Sequence, residues 1–160
     1  MSSLQKHSIP SFKLHCGKVI PLTLSYQVFG KALHEAPVVL VNHSLTGNSN
    51  VSGEEGWWSE IIGPKKLIDT EVYSVIAFNF PGNGFDGDFL TSYKDWILRD
   101  VSEAFKIALD ALGVTELFAA IGGSIGGGGW GGRKGHTPPL FFMNLPPLFY
   151  LCAPPLDFYT

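Results

Sequence analysis

Apolar and polar positions alternate near the start of the chain. Phe12, Leu14 and Cys16 lie on one side of Gly17-Lys18, and Ile20, Leu22, Leu24, Tyr26 and Val28 on the other. Period two on both sides of a turn-forming glycine predicts a β-hairpin with one buried face. The pattern then changes. Val38 to Val41 is a continuous apolar run behind Pro37, Val72 to Phe78 is a second, and Leu117 to Ile121, ending in two glycines, is a third. Short uninterrupted runs predict strands covered on both faces, as in a parallel sheet. Between the second and third runs, Ile97, Val101, Ala104, Phe105, Ala108, Leu109 and Leu112 recur at three- and four-residue steps, which predicts a helix near residues 93–112. Ser92 with Asp95 three residues later reads as its capped start, and Gly113 as its stop. Strand, crossover, strand, helix, strand is α/β grammar. It predicts parallel, adjacent strands near 38–42, 72–78 and 117–121, with the helix on one face.

Composition narrows the classes. With 160 residues, 45% of them hydrophobic, the chain has material for one core. A net charge of −3 without a Lys/Arg cluster argues against a nucleic-acid face or an anionic-membrane anchor. No apolar run approaches the ~20 residues of a membrane span, and Met1 to Pro10 lacks the apolar core of a secretory signal. Cys16 and Cys152 form no disulfide framework, so a cytoplasmic location with reduced thiols is expected. The composition is uneven, however. Residues 127–160 hold six of the 11 prolines and six of the 19 glycines, but only Arg133, Lys134 and Asp157 as charged side chains. The expected division is therefore 1–128 as folded domain and 129–160 as an aberrant Gly/Pro/aromatic-rich tail that does not pack.

The sharpest chemical signal is Gly122-Gly123-Ser124-Ile125-Gly126, a G-x-S-x-G pattern directly after a predicted buried strand. A nucleophilic serine there sits on a strained turn with its Oγ exposed, and the flanking glycines let the backbone fold sharply. Such a serine needs two oxyanion donors: the N–H after the nucleophile, here Ile125, and one from the loop after an earlier strand. Asn42-His43-Ser44-Leu45-Thr46-Gly47 follows the strand at 38–41 and supplies that loop. His43 precedes the serine, so it reads as an oriented loop histidine rather than a triad base.

Taken together, several segments resemble the homoserine O-acetyltransferase family. They are Val38 to Asn42 with His43-Ser44-Leu45-Thr46-Gly47, Gly56-Trp57-Trp58, Ile62-Gly63-Pro64-Lys65-Lys66, Ile68-Asp69-Thr70, Asn79 and the elbow at Gly122 to Gly126. The resemblance covers roughly residues 10–128. It implies the N-terminal part of an α/β-hydrolase fold: a mostly parallel sheet with an N-terminal hairpin, incomplete in this chain. It also implies a Ser–Asp–His triad, acetyl-CoA or another acyl-CoA as co-substrate rather than a resident cofactor, and no metal. Homoserine or serine would be the acceptor in a step of amino-acid (methionine) biosynthesis, and the assembly would commonly be a homodimer. By position, Ser124 is the nucleophile, with the Leu45 and Ile125 N–H groups as oxyanion donors. The family often has a Gly/Cys-containing loop where this chain has Phe80 to Gly87.

The chain departs from that pattern after the elbow. Gly127 to Gly132 and Pro138-Pro139 discourage the helix an elbow should launch, since glycine costs up to ~1 kcal/mol per helical position and proline ~3. His136 and Asp157 follow Ser124 in the order His…Asp, the reverse of the fold's Asp/Glu…His. The expected reading is an incomplete triad, a tail produced by truncation or a reading-frame shift, and little activity. Three rivals remain: a serine esterase or hydrolase on the same fold, a nucleotide-binding module, and a non-catalytic fragment. The Gly56-Trp57-Trp58 to Thr70 block weighs against the first. For the second, Gly82, Gly84 and Gly87 spell G-x-G-x-x-G, as do Gly127, Gly129 and Gly132, but no helix opens directly after either. Trp57 and Trp58 read as core or lid anchors rather than a stacking platform, and Asn50-Val51-Ser52 as a glycosylation sequon by spelling only.

Overall fold

A computed structural model describes residues 2–123. The hairpin is β1 (Gln5–Lys13) and β2 (Val19–Gly30), antiparallel, with Gly17 at φ +89° in the turn between them. The three apolar runs become β3 (Val38–Asn42), β6 (Ser74–Phe78) and β7 (Ala119–Gly122). The sheet order is β1-β2-β6-β3-β7, with β3 parallel to both β6 and β7 as the runs predict. A small parallel pair, β4 (Ile62–Gly63) and β5 (Ile68–Asp69), lies within the β3–β6 crossover and has no counterpart in the sequence reading.

The central strands are buried on both faces because each face has its own core. Leu40, Ile76 and Phe78 point to one side and pack with Phe12, Leu24, Tyr26 and the helix residues Ala104, Phe105, Ala108 and Leu109. Val39, Val41, Val75 and Ala77 point to the other and pack with Val51, Trp58, Ile62 and Ile68 from the crossover. This second core corrects the hairpin reading. β2 has one buried face only in its first half. From Ser25 onward it pairs with β6 or abuts its end, and Ser25, Gln27 and Phe29 are buried beneath the crossover.

Helix α1 (Leu98–Ala111) ends where glycine predicts and begins later than the Ser92–Asp95 pattern predicts. Gly113 takes φ +72°, its N–H donates to Asp110 O, and the Val114 N–H donates to Leu109 O. That pair of bonds is a Schellman stop. At the start, Tyr93–Asp95 forms only a 3-10 turn, and Ser92 makes no side-chain cap. The cap is Ile97, whose N–H is taken by the Asp100 carboxylate at 3.1 Å. The same carboxylate accepts the His15 N–H and bonds its ring Nδ1, both at 2.8 Å. The helix start is therefore fixed by a residue 85 positions away in the hairpin turn, which no local pattern encodes.

Candidate active site

β6, β3 and β7 run parallel, so the loops leaving their carboxyl ends gather at one edge of the sheet. Asn42 pairs with Gly122, and the pairing extends one residue further through a 3.2 Å bond from the Gly123 N–H to Asn42 O. The backbone entering the G-x-S-x-G turn is thereby fixed beside the backbone entering the His43–Gly47 loop. Trp58 lies under this point: its ring is 3.6 Å from where a Cβ on Gly123 would stand. Trp57 stacks on Trp58 with ring centroids 4.3 Å apart and donates its indole N–H to Asn48 O at 2.9 Å. Both tryptophans are anchors of the crossover, as read from the sequence.

His43 is fully buried and holds its loop from within. Its Nδ1 lies 2.6 Å from Ser44 O and its Nε2 accepts the Phe80 N–H at 3.1 Å, a pattern that fits a neutral ring protonated on Nδ1. The ring also packs on Phe80, centroids 4.3 Å apart. Burial pushes the imidazole below its ordinary 6.5, against the opposing effect of the Ser44 carbonyl. It is thus an orienting histidine with both nitrogens engaged. Gly47 closes the loop over it, and a Cβ there would stand 2.8 Å from the His43 Cβ. Leu45, between them, turns its side chain outward, 69% exposed, and no hydrogen bond among the described residues takes up its N–H. A backbone donor at this edge is what an oxyanion loop has to offer.

Beneath the loop lies a polar cluster that the sequence reading missed. Asn79, the residue after β6, is buried and uses its whole carboxamide. Its Oδ1 accepts the Ser49 N–H at 2.8 Å and Asn83 Nδ2 at 3.1 Å, and its Nδ2 donates to Ser25 Oγ at 2.9 Å and Ser49 Oγ at 3.0 Å. Ser49 Oγ in turn donates to Gln27 Oε1 at 2.8 Å, and Asn83 Nδ2 reaches Gly47 O at 3.4 Å. The sequence signals are that Asn79 belongs to the segments carrying the resemblance and that Ser25 and Gln27 share a strand face with Phe29.

Other sequence candidates resolve less fully. Ser124, Ile125, His136, Asp157 and the tail 129–160 lie outside the described residues. Gly82, Gly84 and Gly87 all have positive φ and shape successive turns, while the next α-helix begins only at Leu98, which is not the geometry of a dinucleotide loop. In the sequon, Ser52 Oγ is buried and donates to Ile62 O at 2.8 Å, and Asn50 Nδ2 donates to Glu55 O at 3.3 Å. Among the described residues there is no His/Cys/Asp/Glu group of metal-binding size, and no helix is long and apolar enough to cross a membrane.

A mixed sheet whose parallel strands β6, β3 and β7 lead into the G-x-S-x-G sequence defines a class, and comparison agrees: the chain belongs to the α/β-hydrolase fold family, whose pattern matches residues 37–129. Within that family the resemblance to homoserine O-acetyltransferases holds. The chain is 37% identical over 140 residues to the homoserine O-acetyltransferase of Corynebacterium efficiens, covering 78% of this chain and 36% of that one. It is 33% identical over 142 residues to that of Haloarcula marismortui, covering 75% and 35%. Among solved structures, the Staphylococcus aureus homoserine O-acetyltransferase superposes with TM-score 0.67 at 32% identity, over 79% of this chain and 40% of that chain. Esterase E22 superposes with TM-score 0.70 at 27% identity, over 81% and 42%. The chain spans little more than a third of the length of these curated relatives.

Proposed function

We propose that residues 1–128 are the nucleophile-bearing N-terminal portion of an acyltransferase that moves an acetyl group from acetyl-CoA to the hydroxyl of homoserine. Ser124 Oγ attacks the thioester carbonyl, its proton passes to a general base, and the oxyanion is held by the Leu45 and Ile125 N–H groups. Collapse breaks the C–S bond and releases CoA as the thiol. The acceptor hydroxyl then attacks the acyl-serine and frees Ser124. One observation supports this reading above the others: the Gly123 N–H donates to Asn42 O, so the residue before Ser124 lies beside the start of the loop that carries Leu45. The acetyl donor, the homoserine acceptor and a cytoplasmic role in methionine biosynthesis rest on the resemblance, and so does the homodimer, which we do not extend to this 160-residue chain.

Within the 160 residues, no Asp/Glu…His pair follows Ser124 in the fold's order. The chain alone is therefore expected to turn over little, with at most slow acylation of Ser124. Purified chain with acetyl-CoA and homoserine, followed by thiol release and intact mass, tests this. Fast turnover abolished by Ser124→Ala would show that the tail supplies the missing base. The likeness to esterase E22 supports a second reading, with water as the acceptor. Homoserine-independent loss of a Ser124-bound acyl group would favour it.

A further inference from the structure

Three features at the carboxyl edge lie outside the proposed chemistry: the exposed side chains of Phe85, Phe89 and Tyr93, the His15–Asp100 pair, and the buried cluster around Asn79. The last is tied directly to the oxyanion loop. The Leu45 donor sits on an exposed turn, and such a turn is a useful oxyanion donor only if its direction is fixed before the reaction. From one side the loop is held by His43, through Ser44 O and Phe80 N–H. The Asn79 carboxamide holds the other side, taking the Ser49 N–H and reaching Gly47 O through Asn83.

We infer that Asn79 is the positioning residue of the oxyanion loop, its carboxamide locking residues 43–49 to the end of β6 and so fixing the direction of the Leu45 N–H at the carboxyl edge of β3. The inference rests on the acyl-transfer reading for its purpose, but not for its geometry. Asn79 touches no reacting atom; it acts through Ser49 and Asn83. All four of its hydrogen-bonding positions are filled, so it fits in one orientation only. Buried networks completed in this way rigidify what they hold. Aspartate would keep the acceptor for the Ser49 N–H, and the Ser25 hydroxyl can rotate to donate to it, whereas the Ser49 hydroxyl can do so only by releasing Gln27 Oε1. Alanine would keep nothing.

The test is residue-resolved amide exchange on the full 160-residue chain. In Asn79→Ala, exchange at the hydrogen-bonded amides of Gly47 and Ser49 should quicken by about tenfold or more relative to Leu40 in β3 and Phe105 in α1, and Asn79→Asp should recover Ser49. Unchanged exchange at Gly47 and Ser49, or an equal rise throughout the chain, overturns the inference. Should Asn79→Ala fail to fold, Asn83→Ala takes its place. That variant removes the link from Asn79 to Gly47 O together with the acceptor of the Phe85 N–H, and unchanged exchange at Gly47 would again overturn it. A second arm follows Ser124 acylation by p-nitrophenyl acetate with intact mass. The variants should lower the limiting rate while leaving half-saturation in place; a change in half-saturation alone counts against positioning. Acylation of the parent chain that Ser124→Ala leaves unchanged counts against the acyl-transfer reading, while the exchange measurement still decides the role of Asn79.

Discussion

Replacing Asp100 by alanine removes one carboxylate that accepts three hydrogen bonds: from Ile97 N–H at 3.1 Å, and from His15 N–H and the His15 ring at 2.8 Å each. The ring is 40% exposed, so water replaces much of its share. The two backbone donors are the larger loss. A lost cap costs ~1 kcal/mol and a bond to a charged acceptor ~1.5–3, partly offset by no longer burying the carboxylate, which gives about 2–4 kcal/mol in all. For a domain of this size that corresponds to roughly 6–14 °C in Tm. Asp100→Asn keeps one acceptor oxygen and should lose about half as much. pH gives an independent check. Burial pushes the Asp100 carboxyl upward, but the bonds from the His15 ring, Ile97 N–H and His15 N–H outweigh it and hold the group below the ordinary 3.8. Its contribution is therefore complete above pH ~3.8 and is lost as pH falls below that value through the lower pKa of the folded state. Urea denaturation from pH 7 down to pH 3 measures both effects. An Asp100→Ala midpoint within the equivalent of ~0.5 kcal/mol of the parent at pH 7, or an undiminished acid-dependent fall, would refute this account of the helix start.

Three further outcomes are expected. Stability should decline as pH drops below about 6.5, because the unfolded chain takes up a proton that buried His43 refuses; His43→Asn should flatten the urea-midpoint profile between pH 7.5 and 5. Gly47→Ala should cost about 1–3 kcal/mol, since its methyl would stand 2.8 Å from the His43 Cβ, and calorimetry should show a lowered Tm. Phe105→Ala should cost about 3–5 kcal/mol in urea unfolding, because that ring stacks on Phe78 at 4.9 Å and on Phe80 at 5.9 Å.

What the sequence made legible follows from what burial alone determines. β3 and β6 announce themselves because a strand covered on both faces has no polar positions to spare, and Gly113 because only a residue tolerant of positive φ ends the helix there; β7, read as the same kind of strand, is only partly buried from Ala119 to Ile121 among the described residues. Features that depend on distant partners stayed hidden. The Ser92–Asp95 spacing suits a cap, yet the helix waits for Asp100, whose role is set by His15. Ser25 and Gln27 look like solvent positions of a hairpin until β6 and the crossover enclose them. In the site, the His43–Gly47 loop was readable from its place after β3, whereas Leu45 and Asn79 were singled out only through the resemblance. The work of Asn79 is done by a side chain aimed at Ser49, thirty residues back.

The strand order has a kinetic consequence. β1 and β2 are neighbours in sequence and can zip locally, but Val38 meets Ser74 and Val39 meets Ala119 only after chain closures of 36 (74 − 38) and 80 (119 − 39) residues. Non-local parallel pairing is slow, because closure entropy must be met before any contact rewards it. The hairpin is thus the part able to form first. The edge where the loop after β3 meets the end of β7 is the part that must assemble last. Whatever impairs refolding of this chain should cost it that edge while the hairpin is still intact.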